Sequence, residues 1–183
     1  MKIYILRHEK RFSSPSFNTS LKEEGIEDAK KLSVLLEELE IDLIYCSPFK
    51  RVIQTIEPFL EKTNKKVNIE NSLYEYINEY DFTKEDIKNV NQDMYGYKYF
   101  NSDYKSFYNL DNLKYPEIRC NLEDRVNNFT SFLKSNNLNS NILLVTHMSP
   151  VNVIINKNNR FPYPQGGLTL IYDNEECYIP KNY

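Results

Sequence analysis

Two short apolar runs that each break off at a histidine constrain this chain more than any other feature. Lys2-Ile3-Tyr4-Ile5-Leu6 stops at Arg7-His8, and Asn141-Ile142-Leu143-Leu144-Val145 stops at Thr146-His147. Runs of this length read as strands buried on both faces. The 183-residue chain has only two histidines, so each one stands just past a strand end. In open α/β sheets, ligands sit outside the carboxyl ends of the strands. Both imidazoles are therefore expected to face one crevice.

The segments between the two runs support a mainly parallel sheet. Ile26, Ala29, Leu32, Leu35, Leu36 and Leu39 recur at helical spacing, and Ser20 with Glu23 fits a capping box ahead of them. Residues 42–46 read as a second strand. Ser47-Pro48 then opens a helix in the order N-cap, first helical proline, with Phe49, Val52, Ile53 and Ile56 on its buried side. Pro58 is expected to kink or end that helix. Residues 67–69 read as a third strand, and strand–helix–strand–helix–strand order argues for right-handed parallel crossovers.

Residues 74–120 break this rhythm, being rich in Tyr, Asn and Lys without a strong period. They read as short helices and loops covering one end of the sheet. Leu122, Val126, Phe129 and Leu133 restore an amphipathic helix before the strand at 141–146. A second Ser-Pro, at Ser149-Pro150, marks the start of another helix. Residues 168–172 and 176–179 then form an edge hairpin. The expected architecture is one domain over residues 1–183, a three-layer α/β/α sandwich with a mainly parallel central sheet. Residues 76–120 are expected to act as a substrate-covering insertion.

Composition serves mainly to exclude. The net charge of −3 gives no global reason to bind nucleic acid or an anionic membrane, so any anion site must be local. No apolar stretch approaches the ~20 residues needed to span a bilayer. Charge at Lys2 and Arg7 is unlike a secretory leader. Three scattered cysteines suit reduced thiols in a cytoplasmic setting rather than a disulfide framework or zinc knuckle.

Four features then converge on the rim holding the histidines. Arg7-His8 ends the first strand, Arg51 lies in the first turn after the second strand, Glu75 follows the third, and His147 ends the later one. Arginine's planar fork matches a phosphoryl group, and a helix N-terminus already favours an anion. A neutral imidazole can attack phosphorus when its other nitrogen is held by a hydrogen bond. A second imidazole can stabilise equatorial charge, and a carboxylic acid can protonate the leaving oxygen. Positioning and charge stabilisation carry most phosphoryl transfer, so neither metal nor cofactor is required in principle.

At these residues the chain resembles the histidine phosphatase superfamily, also called phosphoglycerate mutase-like. Leu6-Arg7-His8-Glu9 is similar to its Arg-His-Gly signature, and Leu21-Lys22-Glu23-Glu24-Gly25 with Ala29 to its first-helix pattern. Ser47-Pro48-Phe49-Lys50-Arg51 with Gln54-Thr55 resembles its Ser-Pro-x-x-Arg-x-x-Gln-Thr segment. Leu73-Tyr74-Glu75 is similar to its acid motif, and Val145-Thr146-His147 to the segment of its second histidine. The resemblance implies that His8 is the nucleophile that becomes phosphohistidine. It implies that Arg7, Arg51 and His147 bind phosphate and that Glu75 is the proton donor. Arg11 resembles an extra pocket arginine of some phosphatase members.

The chain departs from the pattern in three places. Glu9 and Met148 replace glycines beside the two histidines, and Lys22 replaces the threonine that caps the first helix. Glu79, one helical turn past Glu75, is an alternative acid. Tyr74, Tyr76 and Tyr80 are expected to pack rather than stack on substrate.

The resemblance points to a phosphomonoesterase acting on a phosphorylated small molecule, with phosphotyrosyl protein a second option. A mutase and a non-catalytic phosphate binder remain alternatives. A cysteine phosphatase is rejected because only four residues, one of them Pro48, separate Cys46 from Arg51 where that chemistry wants five. The four glycines lack the spacing of a P-loop or dinucleotide fold. Two distant histidines are too few for a metallohydrolase.

Overall fold

The computed structural model describes residues 1–85, 97–137, 139–155, 163–172 and 175–179. In chain order its elements are β1 (Lys2–Arg7), α1 (Glu23–Glu37), β2 (Leu43–Cys46), α2 (Lys50–Thr63) and β3 (Asn68–Ile69). There follow α3 (Arg119–Asn136), β4 (Asn141–Thr146), α4 (Met148–Ile154), β5 (Leu168–Tyr172) and β6 (Glu175–Ile179). Single 3-10 turns occur at Asn71–Leu73 and Leu110–Asn112.

The six strands form one sheet in the order β3-β2-β4-β1-β5-β6. The first four are parallel, while β5 returns antiparallel on β1 and β6 closes the edge as its hairpin partner. β1 and β4 lie side by side, with Lys2 opposite Asn141 and Arg7 opposite Thr146. The two histidine-bearing ends therefore meet at one rim, and the backbone N–H of His8 donates to Thr146 O at 3.0 Å.

Alternation along the central strands feeds two cores. Tyr4, Leu6, Leu143 and Val145 pack with Leu32 and Leu36 of α1 and Val52, Ile56 and Phe59 of α2. Ile3, Ile5, Ile142 and Leu144 pack with Phe129 and Leu133 of α3 and Val151 of α4. Helices thus cover both faces, giving the expected three-layer architecture. Both faces are buried, which is why these strands read as unbroken apolar runs. Among the described residues, no helix is long and apolar enough to cross a membrane.

Two expected helix starts are corrected, and a third holds to within one residue. Ser20 does not cap α1: its carbonyl accepts from Phe12 N, and neighbouring Leu21 bridges Arg11. The helix begins after Lys22, whose N–H donates to Lys10 O at 2.9 Å. Gly25 serves this close approach, because a Cβ there would lie 2.2 Å from Lys10 O. Nor does Ser47 cap α2, which starts at Lys50 with Phe49 as the extended residue before it. α4 starts at Met148, one residue before Ser149, with His147 in the cap position. Pro150 still falls in the first turn, where its missing N–H costs nothing.

Pro58 does not end α2 either. The helix runs through it to Thr63 and closes at Asn64, in the left-handed region at φ 52°. In the described part of 74–120 the chain is mostly loop, with helical residues at 84–85, a 3-10 turn at Leu110–Asn112 and the start of α3 at Arg119, whereas residues 86–96, with Gly96, lie outside the described residues.

Candidate active site

The rim of the sheet collects Arg7, His8, Arg51, Glu75 and His147, each delivered by a different local structure. Arg7 is the last residue of β1, and its guanidinium donates through Nη1 to Tyr163 O. His8 follows directly and is itself buried (2% exposed). Its Nδ1 lies 2.8 Å from Glu9 O. A carbonyl only accepts, so Nδ1 carries the proton and Nε2 keeps its lone pair.

The ring of His147 lies edge-on to that of His8, with centroids 5.3 Å apart. Arg51 Nη2 donates to His147 Nδ1 at 3.3 Å, while Nη1 donates to Ser16 O at 2.9 Å. Glu75 Oε2 stands 4.0 Å from His147 Nδ1. Its Oε1 accepts from Tyr76 N at 2.9 Å and Ser149 N at 3.3 Å. Glu75, half-buried, therefore reaches the site, whereas Glu79 is exposed.

Burial and like charge dominate the electrostatics. Burial first, then Arg51, Arg7 and Arg11, hold His8 well below the ordinary imidazole range, although its bond to Glu9 O acts the other way. Burial, Arg51, His8, Arg7 and Arg11 do the same to His147. Both rings are accordingly neutral. Burial also lowers Arg51 to about 9, with Glu75 opposing and Arg11 and Arg7 adding to the shift. Arg7 is lowered by burial and by Arg11, and Glu75 again opposes. Three guanidinium groups thus repel one another around two neutral imidazoles. Among the described residues, the buried Nε of Arg7, Arg11 and Arg51 has no hydrogen-bond partner.

Arg11 reaches this site through its charge more than its contacts. Its Nη1 donates to the carbonyls of Phe12, Ser13 and Ser14. Glu9, which stands where the family pattern has glycine, is fully buried, and its N–H donates to Thr55 Oγ1 at 3.0 Å. Met148 is half-buried against the core on the α3–α4 face. Tyr74 and Tyr76 pack, as expected, but Tyr80 is 90% exposed and does not. Burial in the core pushes the Cys46 thiol up, unsuited to serving as a thiolate nucleophile.

Sequence reasoning missed several residues that shape the site. Ser47, assigned to a helix cap, instead places its Oγ 2.9 Å from His147 Nε2. Thr55 accepts from Glu9 N and donates to Arg51 O, linking the loop after His8 to α2. Arg125 makes five hydrogen bonds: to both carboxylate oxygens of Glu117 and to the carbonyls of Ser72, Tyr74 and Glu75. It holds the Glu75 loop from beneath. One signal could have revealed it. Arg125 lies three residues after Leu122 and four before Phe129, so it sits inside the apolar stripe of α3.

Known families match most of the chain. The profile of the histidine phosphatase superfamily (branch 1) matches residues 3–177. The chain belongs to that superfamily. A Schizosaccharomyces pombe protein named "probable phosphatase" is 39% identical over 67 residues, which cover 33% of this chain and 32% of that one. The chain thus matches about a third of the length of that curated relative.

Among solved structures, the α-ribazole phosphatase of Shigella flexneri superposes with a TM-score of 0.67 at 20% identity, covering 100% of this chain and 96% of the other. Phosphoserine phosphatase of Entamoeba histolytica gives 0.67 at 15% identity, with 98% and 95% covered. At such identities the likeness establishes the histidine phosphatase fold.

Proposed function

We propose that this protein is a metal-independent phosphomonoesterase that works through phosphohistidine at His8. The carrying observation is the convergence of Arg7, Arg11 and Arg51 on a pair of neutral, buried imidazoles. Like charges crowded at a partly buried rim cost stability unless an anion offsets them. A dianionic phosphoryl group supplies that offset and meets arginine in a fitting geometry.

The tautomer of His8 supports the chemistry. With Nδ1–H given to Glu9 O, the Nε2 lone pair is free to attack phosphorus. The N–P bond forms as the ester P–O bond breaks, and the Glu75 carboxylic acid protonates the departing alkoxide. Glu75 then accepts a proton from water as that water attacks phosphohistidine, releasing phosphate and restoring His8. Arg7, Arg51 and His147 hold the equatorial oxygens throughout, and Arg11 adds positive potential. The charge is supplied by side chains, so chelators leave the rate unchanged.

A phosphorylated small molecule is the substrate class, and residues 76–120 with the 10–18 loop select it. Two buried carboxylates fasten the described part of that segment. Glu70 accepts from Tyr104, Ser106, Phe107 and Tyr108, and Glu117 accepts from Ile77 N. The α-ribazole and phosphoserine phosphatases named above are consistent with hydrolysis of small phosphate esters.

The test is phosphate release from p-nitrophenyl phosphate and a panel of phosphorylated metabolites. His8→Ala should lose at least 10³-fold in kcat with its fold intact. Rapid acid-free quenching should trap a phosphoenzyme in wild type that His8→Ala lacks. A variant that keeps the wild-type rate overturns the proposal.

A further inference from the structure

The two imidazoles carry their protons on opposite nitrogens, and the partners show which. His8 Nδ1 faces a carbonyl, so it is the N–H nitrogen. His147 Nδ1 faces Arg51 Nη2, and a guanidinium can only donate. His147 Nδ1 must therefore hold a lone pair, and the single proton of the neutral ring lies on Nε2. The partner of that Nε2–H is the hydroxyl of Ser47, 2.9 Å away.

We propose that Ser47 is a positioning residue that fixes the tautomer of His147, so that the nitrogen nearest Arg51 and Glu75 enters catalysis unprotonated. This rests on the phosphoryl-binding reading of the site. Ser47 suits the task because its own place is fixed. It follows β2 directly, its backbone N–H donates to Val145 O at 3.0 Å, and its side chain is fully buried. The ring of Phe49, 4.7 Å from that of His147 and nearly perpendicular, leaves the imidazole little freedom to turn. Neither the Ser-Pro segment nor its spacing reveals this use, since the pattern reads equally well as a helix cap.

The consequence is a proton site inside the pocket. When a phosphoryl group enters as its monoanion, Arg51 Nη2 leaves His147 Nδ1 for a phosphoryl oxygen, the ligand O–H bond breaks and an N–H bond forms at the freed Nδ1. The ring becomes an imidazolium bonded to the phosphoryl oxygen through Nδ1 and to Ser47 through Nε2. The ligand becomes the dianion that the arginines require. The charged and titratable groups that act on this nitrogen are Arg7 and His8 at the end of β1, Arg11 in the next loop, Arg51 on α2, and Glu75. Four of these are cations or a neutral ring. The ligand's negative charge is therefore what makes protonation favourable.

Long-range ¹⁵N–¹H spectra of the full chain test this directly, and a chain with two histidines is readily assigned with His8→Ala. In unliganded wild type at pH 8, Nε2 of His147 should show the shift of an N–H nitrogen and Nδ1 that of a lone-pair nitrogen. Inorganic phosphate should then move Nδ1 to the protonated position. Ser47→Ala should mix the tautomers, weaken phosphate inhibition about tenfold and lower kcat about 10- to 100-fold, whereas Ser47→Thr restores most of the rate. A wild-type spectrum with the proton on His147 Nδ1 overturns the proposal without any variant. So does Ser47→Ala with unchanged tautomer and rate. If wild type binds phosphate but hydrolyses no ester, the hydrolase reading fails while the spectrum still decides the role of Ser47.

Discussion

Arg51, at the rim of the sheet, and Arg125, beneath the loop that carries Glu75, are equally buried at 1% and 2% exposed, but their surroundings differ. Arg125 forms five hydrogen bonds and pairs with Glu117 at 2.7 Å, a carboxylate buried as deeply as itself. Arg51 has two other guanidinium groups for neighbours, one half-buried carboxylate in opposition, and an Nε without a partner among the described residues. A buried charge that is fully paired rigidifies its surroundings, whereas one left among like charges is held ready for something else. The first region shapes the loop that carries Glu75. The second lines the candidate site.

Substitution should separate the two kinds of arginine. Arg51→Gln should cost about 10²–10³ in kcat/KM, the scale of losing a preorganised electrostatic contact. Its unliganded stability should match or exceed wild type, because a repelled cation has gone. A melting temperature that fell sharply would make Arg51 a structural residue and erase the contrast.

Arg125→Met should do the reverse and destabilise the fold by about 3–5 kcal/mol, leaving Glu117 charged and alone. Urea denaturation measures the loss. Adding Glu117→Leu should recover much of it, and failure to recover would show that the backbone bonds, not the ion pair, matter most.

Inorganic phosphate or vanadate sharpens the contrast from the ligand side. At a hundred times its dissociation constant it should stabilise wild type by about 2.7 kcal/mol. Arg125→Met should respond equally and Arg51→Gln hardly at all, which thermal melts with and without the anion would show.

Acid provides the most graded test. His8 and His147 titrate well below the ordinary value of 6.5 in the fold, so the unfolded chain binds protons first. Stability should be constant from these groups above pH 6.5. It should fall below that, by up to about 1.4 kcal/mol per pH unit for each ring, until the folded protein also takes up protons. An unliganded protein equally stable at pH 7 and pH 5.5 would contradict the neutral, buried pair.

How far residue patterns could foresee this molecule differs from place to place. The runs at 2–6 and 141–145 gave their strands and their rim directly, since burial on both faces leaves a continuous apolar signature. The helix starts were harder, because Ser20, Ser47 and Ser149 all have capping chemistry that can be spent elsewhere. Ser20 lies in a loop closed by Phe12 and Leu21, and Ser47 meets a histidine remote in sequence. Gly25 marks where α1 touches the backbone of Lys10.

Order along the chain determined the sheet, the shared edge of Arg7, His8, Arg51, Glu75 and His147, and hence the family. It could do so because strand direction and side-chain period are local properties that topology then sums. The positions of protons and the pairing of buried charges were settled only by the folded chain. Which nitrogen of His147 is bare depends on Arg51 and Ser47, and which arginine is satisfied depends on Glu117. Such contacts carry no period along a sequence, because their partners meet only after the layers have packed.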